Sequence, residues 1–360
     1  MMDDTALSLT TLDASHGQVT VDPGVGNIRA LHLRDGGRTL TPLHSAPWIN
    51  EAVPQDLSPV ERNLSGDFFC APFGTGDVEK TPAHGWTANS PWTAIKSGTG
   101  MTFKLRRKVM GAAITKHMTF APEAPLLMQQ HMIDGGTGGL TVAHHPMVHF
   151  ATTATLSTSP KRAALTPDTP LEPDRNALAC GRQTSDLTAL PGQNGQPVDL
   201  TRLPIANRHE DFVTLVEHHS TLGWTAILRD SEDDIVFFLK DASVLPITML
   251  WHSNGGRDYA PWNGRHRNVI GVEDGCAAGV TGHRAALSPN PVSKLGSPTA
   301  LPLKPGHRHR IAHVTGAIVR PKGWQRVADI MVAGGMLTLT GDTGTTRTLP
   351  FPTDFFEQET

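Results

Sequence analysis

The chain reads as an all-β sandwich, and three observations lead there. Short apolar or alternating stretches of about four to ten residues recur along its 360 residues, which is strand length rather than helix length. Glycine (35) and proline (28) fall mostly between these stretches, where turns need them. Charged residues make up only 18%, and the net charge of −3 gives no electrostatic footprint for nucleic acid or an anionic membrane surface.

In chain order, strands are expected near residues 18–21, 28–33, 101–109, 113–120, 126–133, 140–149, 212–218, 225–228, 235–240, 244–251, 269–272 and 310–319. Gly111 sits between two alternating runs and suggests a hairpin. Residues 160–204 differ, carrying seven of the 28 prolines. Proline at that density breaks ladders and helices alike, so a long loop insertion is expected there, with a short helix near Ala177. Residues 1–320 then form one large sandwich, and 321–360 an add-on packed against it. In the add-on, Trp324, Val327, Ile330 and Met331 recur at helical spacing, so a helix over 323–332 is expected before two strands.

Several function classes lack support. There is no GxxxxGK[ST], no GxGxxG opening a helix, no GxSxG and no HExxH. The cysteines, Cys70, Cys180 and Cys276, are far apart and do not resemble a disulfide or zinc framework. The first residues, MMDDTALSLT, lack the basic and apolar regions of a signal peptide, and no run approaches the ~20 apolar residues of a membrane span. A cytoplasmic location is the resulting expectation.

Four clusters could carry chemistry. In the first, Ser65–Gly74 leads to His84-Gly85-Trp86, followed by Trp92; a histidine before glycine sits where the backbone can turn sharply, and tryptophan faces suit the C–H side of a sugar ring as well as a core. In the second, His144-His145-Pro146, adjacent strand residues point to opposite faces, so only one imidazole can enter a given site. The third runs from Trp251 through Arg257 to Glu273-Asp274-Gly275, where an acidic pair closes an apolar strand and Asp274-Gly275 reads as a turn. In the fourth, His307 and His309 share a face, which is metal-ligand spacing, but no carboxylate completes the set and no metal is expected.

Taken in order, these segments resemble the aldose 1-epimerase (galactose mutarotase-like) superfamily. GDFFCAPFG and HGWTANSPW are similar to segments of its hexose-6-phosphate mutarotase branch. His144-His145-Pro146 is similar to the central HHP, NVIGVEDG to the segment bearing the family's glutamate base, and PGHRHRIAHV to the closing strand. The resemblance implies a galactose mutarotase-like β-supersandwich with Glu273 as base, His145 as acid and His84 beside the ring oxygen. It further implies sugar contacts from Asp211, Trp251, Trp86, His144 and Arg62, and no cofactor. The branch has arginines near its Gly-Gly and after its HGFA; here Leu64, Ser65, Ala88 and Asn89 occupy those places, which favours sugars without a large anion. Arg62, Arg257 and Arg265 are the arginines left to serve one.

The implied reaction is anomer interconversion. A base takes the proton of the C1 hydroxyl, an acid protonates the ring oxygen, and the opened ring recloses on the other face of C1. The acid and base are expected about 5–8 Å apart, each within about 3 Å of the sugar. The expected partner is a small sugar; neither nucleic acid nor membrane is expected, and a homo-oligomer is left open. Two further readings stand beside this one: a carbohydrate-binding or sensing protein on the same fold, or another epimerase or lyase acting on a modified sugar.

Overall fold

The computed structural model describes residues 8–218 and 222–357. Alternation sets the outer strands: in Gly17–Asp22 every second residue is buried. The strands His209–Glu217, Ile247–Asn254 and Val269–Cys276 are instead buried at every position, because both their faces are covered.

These three are the middle of an eight-stranded antiparallel sheet. Its order runs Gln183–Thr184, Lys161–Leu165, His209–Glu217, Ile247–Asn254, Val269–Cys276, Val142–His144, Phe69–Cys70, and Met147–His149 also pairs with Val269–Cys276. A nine-stranded sheet faces it, centred on Leu222–Arg229, Asp234–Asp241, Arg308–Val319 and Leu126–Gly135. The inter-sheet core includes Val213, Leu250, Ile270 and Val272 from the first sheet and Ile227, Val236, Phe238 and Ile311 from the second.

A second apolar layer lies on the other face of the eight-stranded sheet. Trp48, Val60 and Leu64, from the chain between residues 41 and 68, cover Phe68, Met249, Trp251 and Trp262 there. The third layer packs the add-on against the outside of the nine-stranded sheet: Trp324, Val327, Ile330, Leu337 and Leu349 meet Trp224, Phe237 and Val314. Helices among the described residues are single turns, such as Pro59–Arg62 and Pro291–Lys294, and none is long and apolar enough to cross a membrane.

Three sequence expectations are corrected. The helix over 323–332 is a strand, Val327–Ala333, in a three-stranded sheet with Met336–Gly341 and Thr346–Pro350. A bulge between Val327 and Asp329 adds one residue, so Val327 and Ile330, three apart, face the same way and imitate helical spacing. Residues 161–165 belong to the eight-stranded sheet, so the insertion proper starts after Leu165, and no helix forms near Ala177. Asp274-Gly275 is not a turn: the strand continues to Cys276.

Candidate active site

The site lies on the covered outer face of the eight-stranded sheet. Residues paired across antiparallel strands share a face, so register places Glu210 with Ser253, Phe212 with Trp251, and Gly271 with Trp251. Glu273, two residues past Gly271, joins this set. Gly271 makes the room: a Cβ there would lie 3.2 Å from Glu273 Oε1 and 3.3 Å from the Trp251 Cβ.

His145 sits in the break between Val142–His144 and Met147–His149, beside Pro146. Its backbone N–H donates to Asp67 Oδ1 at 2.9 Å, and its Nε2 lies 3.1 Å from Glu273 Oε1. The expected gap of a sugar ring's width is therefore closed to a direct contact of 3.1 Å. His84 stands beside the pair, its ring 5.3 Å from that of His145, with Nδ1 3.4 Å from Cys70 Sγ. It has a positive φ of 65°, and the following Gly85 approaches so closely that a Cβ would fall 1.9 Å from the Ala71 carbonyl oxygen.

These side chains line a cavity of about 270 Å³ with Phe68, Trp251, Arg257 and Trp262. The Arg257 guanidinium lies 4.4 Å from the Trp262 ring and 5.5 Å from that of Trp251, and its Nε donates to Glu172 at 2.7 Å. Trp251 is fixed from behind by His266, stacked at 5.2 Å, and by Glu210, which accepts its indole N–H at 3.1 Å.

Burial governs the charges. It raises the Glu273 carboxyl well above its usual range. Burial, reinforced by neighbouring His84, lowers His145 to about 3, and burial lowers His84 to about 4. Each shift favours the uncharged form of its group. Glu273 Oε2 and His145 Nδ1 have no partner among the described residues. Buried polar atoms are nearly always satisfied, so this pair of orphans is suited to a polar ligand.

Behind the site, Asp67 joins it to the interior. Its Oδ2 accepts from Gln129 at 2.7 Å and lies 3.0 Å from His144 Nδ1, while Oδ1 holds the His145 N–H. Asp67, His144 and His313 place ligand-type atoms within 4.8 Å of one another, and Asp67 is already engaged by these three contacts.

Glu273, His145, His84 and Trp251 therefore meet in one cleft, and four other expected contacts do not. Asp211 lies one residue out of phase: it pairs with His252 on the other face, and its carboxylate accepts from the N–H groups of Ala177 and Leu178 at 2.8 and 3.0 Å. Glu210 takes the place on the cleft side that Asp211 was expected to hold. His144 faces the inter-sheet core, stacked on His313 at 4.1 Å. Trp86 packs against that core under Arg107, 4.3 Å away. Arg62 is spent on the carbonyls of Leu57 and Gln55, and its neighbour Glu61 reaches the cleft instead. Arg265 pairs with Glu51 at 2.7 Å. Asp67, Glu210 and Trp262 were missed as supports; Glu210 could have been found by counting phase from Trp251 once the pairing was known.

No family model matches the chain, and no curated protein does. Solved structures do. A candidate aldose 1-epimerase of Escherichia coli K12 superposes with a TM-score of 0.57 at 14% identity, over 86% of this chain and 98% of that one. The Slr1438 protein of Synechocystis sp. PCC 6803 gives 0.58 at 13%, over 89% and 98%. A galactose mutarotase related enzyme of Lactobacillus acidophilus gives 0.55 at 10%, over 86% and 97%. The fold is that of the galactose mutarotase-like proteins.

Proposed function

We propose that this chain interconverts the anomers of an aldose by acid/base ring opening and closure. The observation that carries the reading is the His145–Glu273 pair: an imidazole and a carboxyl 3.1 Å apart in a cleft of sugar size, each with a second polar atom unpartnered among the described residues. The reaction needs such a pair. Glu273 takes the C1 hydroxyl proton as a carboxylate while His145 gives one to the ring oxygen as an imidazolium. The C1–O5 bond breaks, leaving an open-chain aldehyde. After rotation about C1–C2, the two transfers run backwards on the other face of C1. The pair holds one proton before and after each step, so atoms and charge balance.

The uncharged pair becomes carboxylate and imidazolium when a proton passes from Glu273 to His145 across their 3.1 Å contact. A sugar hydroxyl donating to Glu273 Oε2 favours that crossing, because it stabilises the carboxylate. His84 is placed to hydrogen-bond the sugar, and Trp251 offers its apolar face to the C–H side of the ring. Polarimetry on freshly dissolved α-glucose and α-galactose tests the reading: rotation should reach its end value faster with the protein than without. No acceleration across aldoses leaves only a binding role.

A second reading has one observation behind it. Arg257 places a cation in the cleft between two tryptophans, on a different segment from the arginines whose absence argued against anions. Its geometry suits a sugar carrying a carboxylate or phosphate, so glucuronate and glucose 6-phosphate belong in the same assay.

A further inference from the structure

A second cavity, of about 360 Å³, adjoins the first, and Phe212 and Val280 line both. One wall is the proline-rich insertion, through residues 166–168 and 181–183, with Leu165 at the strand end before it; another is the turn of helix Pro291–Lys294 with Leu295. Both walls are held in place. Thr166 Oγ1 donates to the Ala179 carbonyl at 2.7 Å and accepts the Arg182 N–H at 2.9 Å. Asp211 pins the insertion at Ala177 and Leu178. On the other side, the Asn290 side chain caps the helix turn, accepting from Val292 and Ser293 at 3.0 Å.

The lining has the composition of a sugar site. Phe212, Leu165 and Leu295 supply apolar surface. Asp168, Arg182, Gln183 and Lys294, all exposed at the rim, supply donors and acceptors. Size points the same way: pockets for drug-sized ligands run about 300–1,000 Å³. The first cavity alone falls below that range, which suits one sugar ring, and the two together fall within it.

We infer that the second cavity is a saccharide subsite, and that the ligand is a reducing disaccharide or longer chain. Its reducing-end ring lies at His145 and Glu273, and the next unit lies between the insertion and Leu295. The inference rests on the anomer-interconversion reading for the placement of the reducing end. It gives the insertion a function: contacts made by the remote unit hold the reacting ring in place.

The test compares α-glucose with α-lactose, β-maltose and β-cellobiose, followed by polarimetry with wild-type protein and with Leu295→Trp, which fills the second cavity. At least one disaccharide should exceed glucose by about tenfold or more in kcat/KM, and Leu295→Trp should erase that advantage while leaving the glucose value unchanged. Arg182→Ala, a milder change, should weaken the preferred disaccharide alone by about 3- to 10-fold, the size of one hydrogen bond. Equal values for glucose and all three disaccharides in wild type overturn the inference, as does a Leu295→Trp loss common to every sugar at an unchanged melting temperature. If no sugar is turned over, the anomer reading fails by itself. Calorimetric binding of the same sugars then decides the subsite: disaccharide binding that Leu295→Trp removes supports it, and binding that is absent or unaffected refutes it.

Discussion

His145 and Glu273 face the cleft; their chain neighbours, His144 and Asp274, face the space between the sheets. Each face has one imidazole and one carboxylate, all four buried, and their fates are opposite. On the inner face burial pushes Asp274 up, but Lys240 and His313, with hydrogen bonds from His313 and Thr248, outweigh it and hold the carboxyl below its usual range. Lys240 Nζ is 2.9 Å from Asp274 and 2.9 Å from Glu217, and Lys161 adds a contact of 2.6 Å to Glu217. On the cleft face His145 is the one ion-pair partner of Glu273 among the described residues, and burial raises the carboxyl instead. Residue type does not separate a structural charge from a reactive one. The number of partners does: the inner carboxylate is satisfied by protein, and the outer pair retains atoms for a ligand.

The comparison breaks hardest at Lys240. Lys240→Met leaves Glu217 and Asp274 short of a buried cation and should cost about 3–5 kcal/mol of stability, read by denaturant unfolding. A loss under about 1 kcal/mol would show that the inner network is not held by charge. On the outer face the ordering reverses. Glu273→Gln should unfold at nearly the wild-type denaturant concentration and keep much of its sugar affinity, yet lose about 10²-fold or more in mutarotation rate, because an amide cannot accept the C1 hydroxyl proton. Wild-type turnover in that variant retires the mechanism.

Asp67 touches both faces and sharpens the contrast. In Asp67→Asn the amide can keep only part of the contacts to His144, Gln129 and the His145 N–H. Misplacement of His145 should lower kcat by about 10- to 100-fold with little change in KM. An unchanged kcat alongside a lower melting temperature would make Asp67 purely structural.

The smallest expected effect is one of pH. Activity requires one proton on the pair. That state is lost at low pH when His145, lowered to about 3, is protonated as well, and at high pH when Glu273, raised by burial, gives up its proton. The acid limb of kcat/KM should therefore lie near pH 3, whereas an essential histidine titrating near its ordinary value of about 6.5 would put that limb's inflection there. Such an inflection would place the essential proton on another group.

Much of this was legible in the chain. Strand-length apolar runs and turn residues gave the all-β architecture, and the adjacency of His144 and His145 already required that only one enter the cleft. Of the residues singled out for a site, Glu273, His145, His84 and Trp251 lie together in one cleft, and Asp211, His144, Trp86 and Arg62 do not. Phase was the weak point. Asp211 and Glu210 are equally acidic neighbours, and only the pairing of His209–Glu217 with Ile247–Asn254 decides which of them shares a face with Trp251. The bulge at Val327 deceived for a similar reason, since one extra residue turns a strand's period of two into a spacing of three.

By itself, then, the sequence determined what depends on near neighbours: strand propensity, turn positions and the rule that successive side chains oppose each other. Tertiary structure decided what depends on distant ones. Asp67, Glu217, Lys240, Asp274 and His313 are scattered along the chain, and nothing in their local context marks them as one buried network. The protonation of Glu273 was equally out of reach, because a carboxyl's pKa follows the water and charges around it, and those are set only when the loop bearing Trp48, Val60 and Leu64 closes over the sheet.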